Sequence, residues 1–280
     1  MAETTIACVQ MDCELGGVSA NRLRIVGRLR EAAGRGADLV VFPECAATGY
    51  CFDSLDEAAP FAETLEGETA RAVSDACRET GAHAVVGFIE RDGGKFYNAA
   101  LLAGPRGVLG SYRKAPLPFL GVDRYLTPGD REFRVFDLPR GRVGINICYD
   151  VSFPESARVL KLAGAQLVLL PTNWPPGAWR SPEFVVRARA LENHVYFAAA
   201  NRVGEERGWR FIGRSKILNC DGDTLAEAGD GEEIIYATLD LSHADDNHIV
   251  NVPGAYEIDR LKDRRPDLYA RIGAAEGKTS

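Results

Sequence analysis

Three residues with chemistry to offer stand just past apolar runs of strand type. Glu44 follows Leu39-Val40-Val41-Phe42, Lys114 follows Val108–Arg113, and Cys148 ends Gly144-Ile145-Asn146-Ile147. A thiolate attacks a carbonyl or nitrile carbon, and a nearby carboxylate takes the thiol proton and later activates water. A buried ammonium, with the backbone N–H of Tyr149 just after the nucleophile, stabilises the oxyanion. Sites in open α/β sheets lie beyond the carboxyl ends of strands, so three such ends on neighbouring strands are expected to converge. Taken singly, each residue has a plainer reading: Glu44 and Lys114 as solvated loop charges, Cys148 as a small core side chain. Ser152-Phe153-Pro154-Glu155 opens a helix soon after Cys148, and its N-terminal dipole is expected to favour the thiolate.

The elements that must hold these groups follow from periodicity. Residues 4–10 read as a first strand, and Leu23, Val26, Leu29 and Ala33 give helical spacing from Asn21 to Ala33, stopped by Gly34-Arg35-Gly36. The almost wholly apolar run 37–42 is of the kind found in a sheet covered on both faces. A second helix is expected over 68–80 with Gly81 as its stop, then strands 83–90 and 95–103 paired across Asp92-Gly93-Gly94. Strand 108–113 is halted by Pro116 and Pro118. Strands 132–138 and 142–148, a helix from Pro154 to Leu162, and strand 166–171 follow. Residues 173–179 are too rich in proline to be regular, and Ser181-Pro182 opens a helix through Asn193. Strands at 195–202, 210–219, 224–228 and 233–240 complete the core. From about 242 the chain reads as an arm lying over the body or a neighbouring subunit. With strand pairs outnumbering crossovers, two mixed sheets packed face to face, helices outside, suit the pattern better than one doubly wound sheet.

Composition sets limits. The 280 residues, 46% hydrophobic and 26% charged, fit one globular α/β domain over 1–280, with about 242–280 as the arm. A net charge of −7 without a basic block argues against nucleic acid or an anionic membrane surface as partner. No apolar run approaches the ~20 residues that span a bilayer. Seven cysteines without a C-x-x-C pair, and no leader pattern before Thr4, point to a reducing cytoplasm. His243, Asp245, Asp246 and His248 lack a recognised ligand spacing and read as a solvated turn, so no metal is expected. P-loop and dinucleotide fingerprints are missing too, so no cofactor is implied.

The chain resembles the nitrilase superfamily, the carbon–nitrogen hydrolases, over nearly its whole length. The resemblance rests on FPECAATGY around Glu44, YRKAPLP around Lys114 and NICYDVSFPE around Cys148, followed by PTNWP, RALENHVYFAAANRVG and FIGRSKI. It implies a four-layer αββα sandwich of two mixed β-sheets flanked by helices. It also implies a Glu-Lys-Cys triad in which Glu44 is the base, Lys114 the oxyanion stabiliser and Cys148 the carrier of a thioester or thioimidate. An amidase or N-carbamoyl-amine hydrolase ranks above a nitrilase or an acyltransferase. A binding or scaffold relative ranks last, since the triad is intact. The implied partners are a small amide, carbamoyl or nitrile substrate and a second copy of the chain, in a homodimer or larger.

Many relatives carry a second glutamate between the lysine and T-P-G-D, where this chain reads LPFLGVDRYLTPGD. Aligned on Tyr125-Leu126-Thr127-Pro128-Gly129, Val122 rather than Asp123 falls at that place. Asp123 is either the fourth acid, one methylene shorter, or a surface acid paired with Arg124. Tyr50, Phe119, Asn173 and Trp174 are candidates for the substrate pocket, Asn173 with an amide to orient the substrate. Arg187, Arg189 and Glu192 read as helix-face ion pairs supporting the site or a subunit contact. Cys45, beside Glu44, is the remaining thiol expected to be prone to oxidation.

Overall fold

The computed structural model describes residues 3–274. Six strands form a first sheet: β1 (Thr4–Gln10), β2 (Leu39–Val41), β3 (His83–Asp92), β4 (Lys95–Gly104), β5 (Gly107–Arg113) and β14 (Glu233–Leu239), in the order β14-β1-β2-β3-β4-β5. A second is made of β6 (Val135–Leu138), β7 (Gly141–Ile145), β8 (Leu167–Thr172), β9 (Tyr196–Asn201), β12 (Lys216–Leu218) and β13 (Thr224–Glu227), in the order β13-β12-β9-β8-β7-β6. In each, three central strands run parallel and the outer pairings are antiparallel. Two further ribbons stand apart, β10 (Glu205–Glu206) with β11 (Trp209–Arg210), and β15 (His248–Val252) with β16 (Tyr256–Asp259).

Side chains alternate between the faces of a strand, and here both faces are covered. Ile6, Cys8, Leu39, Val41, Val85, Ala100 and Leu102 of the first sheet share one core with Val143, Ile145, Leu167 and Leu169 of the second. Their neighbours Ala7, Val9, Val40, Ala84 and Val86 turn the other way, onto Ile25 and Leu29 of α1 (Val18–Gly34) and Val73 and Ala76 of α3 (Glu68–Thr80). A short α2 (Leu55–Ala58) lies between those helices in sequence, capped by Ser54 Oγ accepting the Glu57 N–H. On the far side of the second sheet, Leu160 of α4 (Pro154–Leu162) and Val186 and Ala190 of α5 (Val186–Asn193) complete the core. The result is an αββα sandwich.

Several boundaries differ from those expected. Helix α1 starts three residues early and buries Asn21, Ile25, Leu29 and Ala32, leaving Leu23 74% exposed. Its inner face is rotated because the buried Asn21 amide is drawn in to bond Glu14 and Ala47. The strand expected over 210–219 is broken, because Gly213 and Arg214 both take positive φ, and only 216–218 pairs with β9. The strand expected to reach Cys148 stops at Ile145, and Cys148–Ser152 is a separate 3-10 turn. The arm holds the β15–β16 ribbon and three short turns, the first at Leu241–Asp245, and is largely exposed over its described part. Residues 275–280 of the expected arm lie outside the described residues.

Candidate active site

Glu44 lies three residues past β2, Lys114 directly after β5, and Cys148 three past β7. The approach of Glu44 depends on Gly87 of β3. A Cβ there would fall 2.4 Å from the Cys45 nitrogen and the Pro43 oxygen, so only glycine lets the two backbones meet. Lys114 continues the alternation of β5 and turns, like Tyr112, between the sheets, and its N–H donates to the Asn98 carbonyl of β4 at 2.8 Å. Cys45 and Cys148 both hold φ in the left-handed region, at 48° and 43°. Non-glycine residues keep such a conformation, at about 1–3 kcal/mol, only where surrounding structure over-determines it. For Cys148 those restraints are visible. Asp150 accepts the Ile147 N–H at 2.7 Å, Asp150 N–H donates to the Ile147 carbonyl, and Arg189 Nε holds the Val151 carbonyl at 2.9 Å.

The Lys114 ammonium, fully buried, donates to Glu44 Oε1 at 2.7 Å and to Asp123 Oδ2 at 2.6 Å. An ammonium has three N–H donors, so one remains for a ligand. Asn98 Nδ2 donates to both acids, to Glu44 Oε1 at 2.7 Å and Asp123 Oδ1 at 2.8 Å. Tyr50 Oη donates to Asp123 Oδ2 at 2.7 Å. Both Asp123 oxygens are thus occupied, whereas Glu44 Oε2 is buried with no hydrogen-bond partner.

The electrostatics follow from this enclosure. Burial raises the Glu44 carboxyl above its ordinary value, the Lys114 charge opposing and the Asp123 charge adding to the rise. Burial alone would lower Lys114, but Asp123 and Glu44 together hold it well above the ordinary lysine value. Cys148 is pushed up to about 12, by burial first and the Glu44 charge second, with Lys114 opposing. This corrects the expectation of a resting thiolate: α4 begins only at Pro154, beyond the intervening turn, and desolvation dominates. Burial therefore favours the thiol over the thiolate.

Asp123 sits where the sequence left two readings open. It is fully buried on the lysine, while Arg124 turns to the Gly121 carbonyl and to Asp53. Tyr50 is buried beneath Asp123 and so supports the cluster. Asn173 Nδ2 donates to the Glu44 carbonyl at 2.9 Å, so its amide braces the Glu44 main chain; its Oδ1 is buried and unpartnered. Trp174 is buried, its N–H on Asn201 Oδ1 and its carbonyl accepting from Ile212. Phe119 departs from the pocket expectation: it is 89% exposed, its ring facing the Arg124 guanidinium, because its loop segment carries it outward. Tyr149 is partly exposed and its ring meets Phe153 edge-on. Cys45 is fully buried, its Sγ on Asn98 Oδ1 at 3.7 Å and its thiol raised well above the ordinary value by burial, so it is shielded, contrary to expectation. His243 lies near Asp240, Asp245 bonds Arg142 and Gln166, and His248 pairs with Glu257. Among the described residues no group of three or more such side chains is placed to hold a metal. Sequence reasoning missed Asn98 and Asp150. Asn98, a lone amide in the buried run Tyr97–Gly104, was the signal available.

A buried acid–lysine–acid cluster and a cysteine with left-handed backbone stand at strand ends of an αββα sandwich. The chain belongs to the carbon–nitrogen hydrolase family, whose model matches residues 5–246, and with it to the nitrilase superfamily. A nitrilase of Pyrococcus abyssi is 41% identical over 269 residues, covering 95% of this chain and 99% of that protein. Omega-amidase NIT2 of Danio rerio is 32% identical, covering 99% and 100%. The solved amidase of Nesterenkonia AN1 superposes with a TM-score of 0.80 at 26% identity, covering 96% of this chain and 97% of that one. Other structures of that amidase hold butyramide, or the acetamide moiety of fluoroacetamide on the active-site cysteine. The protein is therefore a carbon–nitrogen hydrolase. No helix among its described residues is long and apolar enough to cross a membrane.

Proposed function

We propose that the protein hydrolyses the non-peptide C–N bond of a small amide or N-carbamoyl compound through a thioester on Cys148. The observation that carries this is the unpartnered Glu44 Oε2 beside a lysine clamped by two acids. Glu44 Oε2 takes the Cys148 proton as sulfur bonds to the carbonyl carbon. The third Lys114 N–H and the Tyr149 backbone N–H hold the oxyanion. As the C–N bond breaks, Glu44 returns the proton to the leaving nitrogen, and ammonia or an amine departs. Water then attacks the thioester, gives its proton to Glu44, and the acid leaves as the proton passes back to sulfur. Asp123 supplies the fourth role, keeping the ammonium charged and in place.

The Pyrococcus relative supports a second reading, hydrolysis of a nitrile to its acid and ammonia, two waters being consumed through a thioimidate and then a thioester on the same residues. One experiment separates them: butyramide and butyronitrile are offered to the enzyme and to Cys148→Ala, with ammonia release and intact mass followed. Hydrolysis of the amide, an acyl adduct on the wild type and neither in Cys148→Ala is expected. Amide turnover surviving in Cys148→Ala would overturn the nucleophile assignment, and turnover of the nitrile alone would favour the second reading.

We also read the chain as a homodimer or larger, since Val159 and Leu162 of α4, Leu191 of α5, and Leu268 and Ile272 of the arm are exposed. Sedimentation as a monomer at micromolar concentration would remove that reading.

A further inference from the structure

Asn98 lies on the inner face of β4, in line with Ala100 and Leu102 of the inter-sheet core. A neutral amide there is costly to bury unless it is fully bonded. Here its two Nδ2 hydrogens go to two different carboxylates, Glu44 Oε1 at 2.7 Å and Asp123 Oδ1 at 2.8 Å. Its Oδ1 lies 3.7 Å from the Cys45 thiol, and its main-chain carbonyl takes the Lys114 N–H. One residue of β4 therefore joins the segments at 44–45, 114 and 123, which come from three separate parts of the chain.

The arrangement solves a problem that the lysine alone leaves. Two carboxylates share one ammonium in a sealed site, and unaided they are free to share a proton with each other or to turn both oxygens onto the cation. A neutral amide bonded to one oxygen of each favours the ionised form of both without adding charge. It also fixes the plane of Glu44. With Oε1 held by both Asn98 and Lys114, Oε2 is left as the unpartnered oxygen.

We propose that Asn98 is a positioning residue that clasps the two acids and presents Glu44 Oε2 as the base for Cys148. The proposal rests on the thioester reading above. Asn98 has no hydrogen bond to Cys148; it acts through Glu44.

The test is the pH dependence of amide hydrolysis by Asn98→Leu and Asn98→Ser, each alone and combined with Glu44→Gln. Thermal unfolding and the fraction of Cys148 acylated per chain report folded, competent enzyme. Asn98→Leu is expected to lower kcat about a hundredfold with KM little changed, as a misplaced base does. The acid limb of its profile should move to higher pH, because the carboxylates lose a donor that favours ionisation. Asn98→Ser, which keeps one donor hydrogen and folds more readily, should shift the limb the same way by less. In the Glu44→Gln background Asn98→Leu should cost little more. An unmoved acid limb, or a loss that merely follows the folded fraction, would overturn the proposal and leave Asn98 a packing residue. Because Cys148→Ala tests the nucleophile separately, that result would leave the thioester reading standing.

Discussion

Arg113 and Lys114 are neighbours in the chain, and each gathers carboxylates, yet the two clusters do different things. Arg113 turns to the outer face of the first sheet, bonding Glu90 at 2.5 Å, Asp92 at 2.6 Å and Asp130 at 2.8 Å, with Tyr97 beneath its guanidinium. Asp92 and Asp130 are about half exposed, Arg131 and Ser111 add further donors to Glu90, and the Arg113 hydrogen bond holds the Asp130 carboxyl below its ordinary value. Lys114 turns inward, where both its partners are fully buried, Glu44 is raised, and one acceptor oxygen is free. Solvent access and a spare acceptor, not the number of ion pairs, separate a structural cluster from one poised for proton transfer.

Paired substitutions break or sharpen that contrast. Lys114→Met should reduce kcat by about a thousandfold or more, since it removes an oxyanion donor and leaves two buried acids to share protons. Arg113→Met should lower the melting temperature yet leave kcat at its wild-type order of magnitude. Equal losses of activity in steady-state assays of the two would erase the distinction. A smaller effect is expected one partner further out. Asp123→Asn should lower kcat about tenfold by loosening the lysine. Asp130→Asn, on a half-exposed pair, should change stability by no more than about 1 kcal/mol and turnover not at all.

The smallest effect concerns the turn that begins at Cys148. Burial pushes the Asp150 carboxyl up to about 7 from an ordinary 3.8, against the pull of the Ile147 N–H. A raised carboxyl binds its proton more tightly in the folded state, so its contribution is fully present below about 4 and lost as pH rises through 7. Asp150→Asn keeps an acceptor for Ile147 without the charge. Its melting temperature should therefore gain on the wild type between pH 4 and pH 7, and level off above. A difference that stays constant over that range would show the carboxyl to be ionised throughout.

Much of the site was legible because its motifs are local. FPEC, YRK and ICYD each put a reactive side chain just beyond a strand, though the strands are not the neighbours expected: β2 and β5 run the same way in the first sheet with two strands between them, and β7 belongs to the second. The four-layer arrangement followed from strand pairs in excess of crossovers and from runs apolar on both faces, as in 37–42. Periodicity failed where side chains or backbone angles override it. The Asn21 amide rotated the face of α1, and left-handed angles at Gly213 and Arg214 cut a strand that hydropathy alone had joined. Nor did a helix dipole decide the state of Cys148, because the turn moved the helix away and burial set the thiol at about 12.

The sequence by itself determined the candidates, Glu44, Lys114 and Cys148, since side-chain type and strand-end position are one-dimensional facts. Only the tertiary structure decided how Asp123 and Asn98 join them. Alignment placed Val122 at the expected acid's position, and an asparagine in an apolar strand has no local signature of partnership. Whether a carboxylate one residue along and one methylene shorter reaches the lysine depends on the path of the 115–123 loop and on what β4 presents beneath it. Those are distances between segments remote in sequence, set when the sheet closes around the cluster and water is excluded.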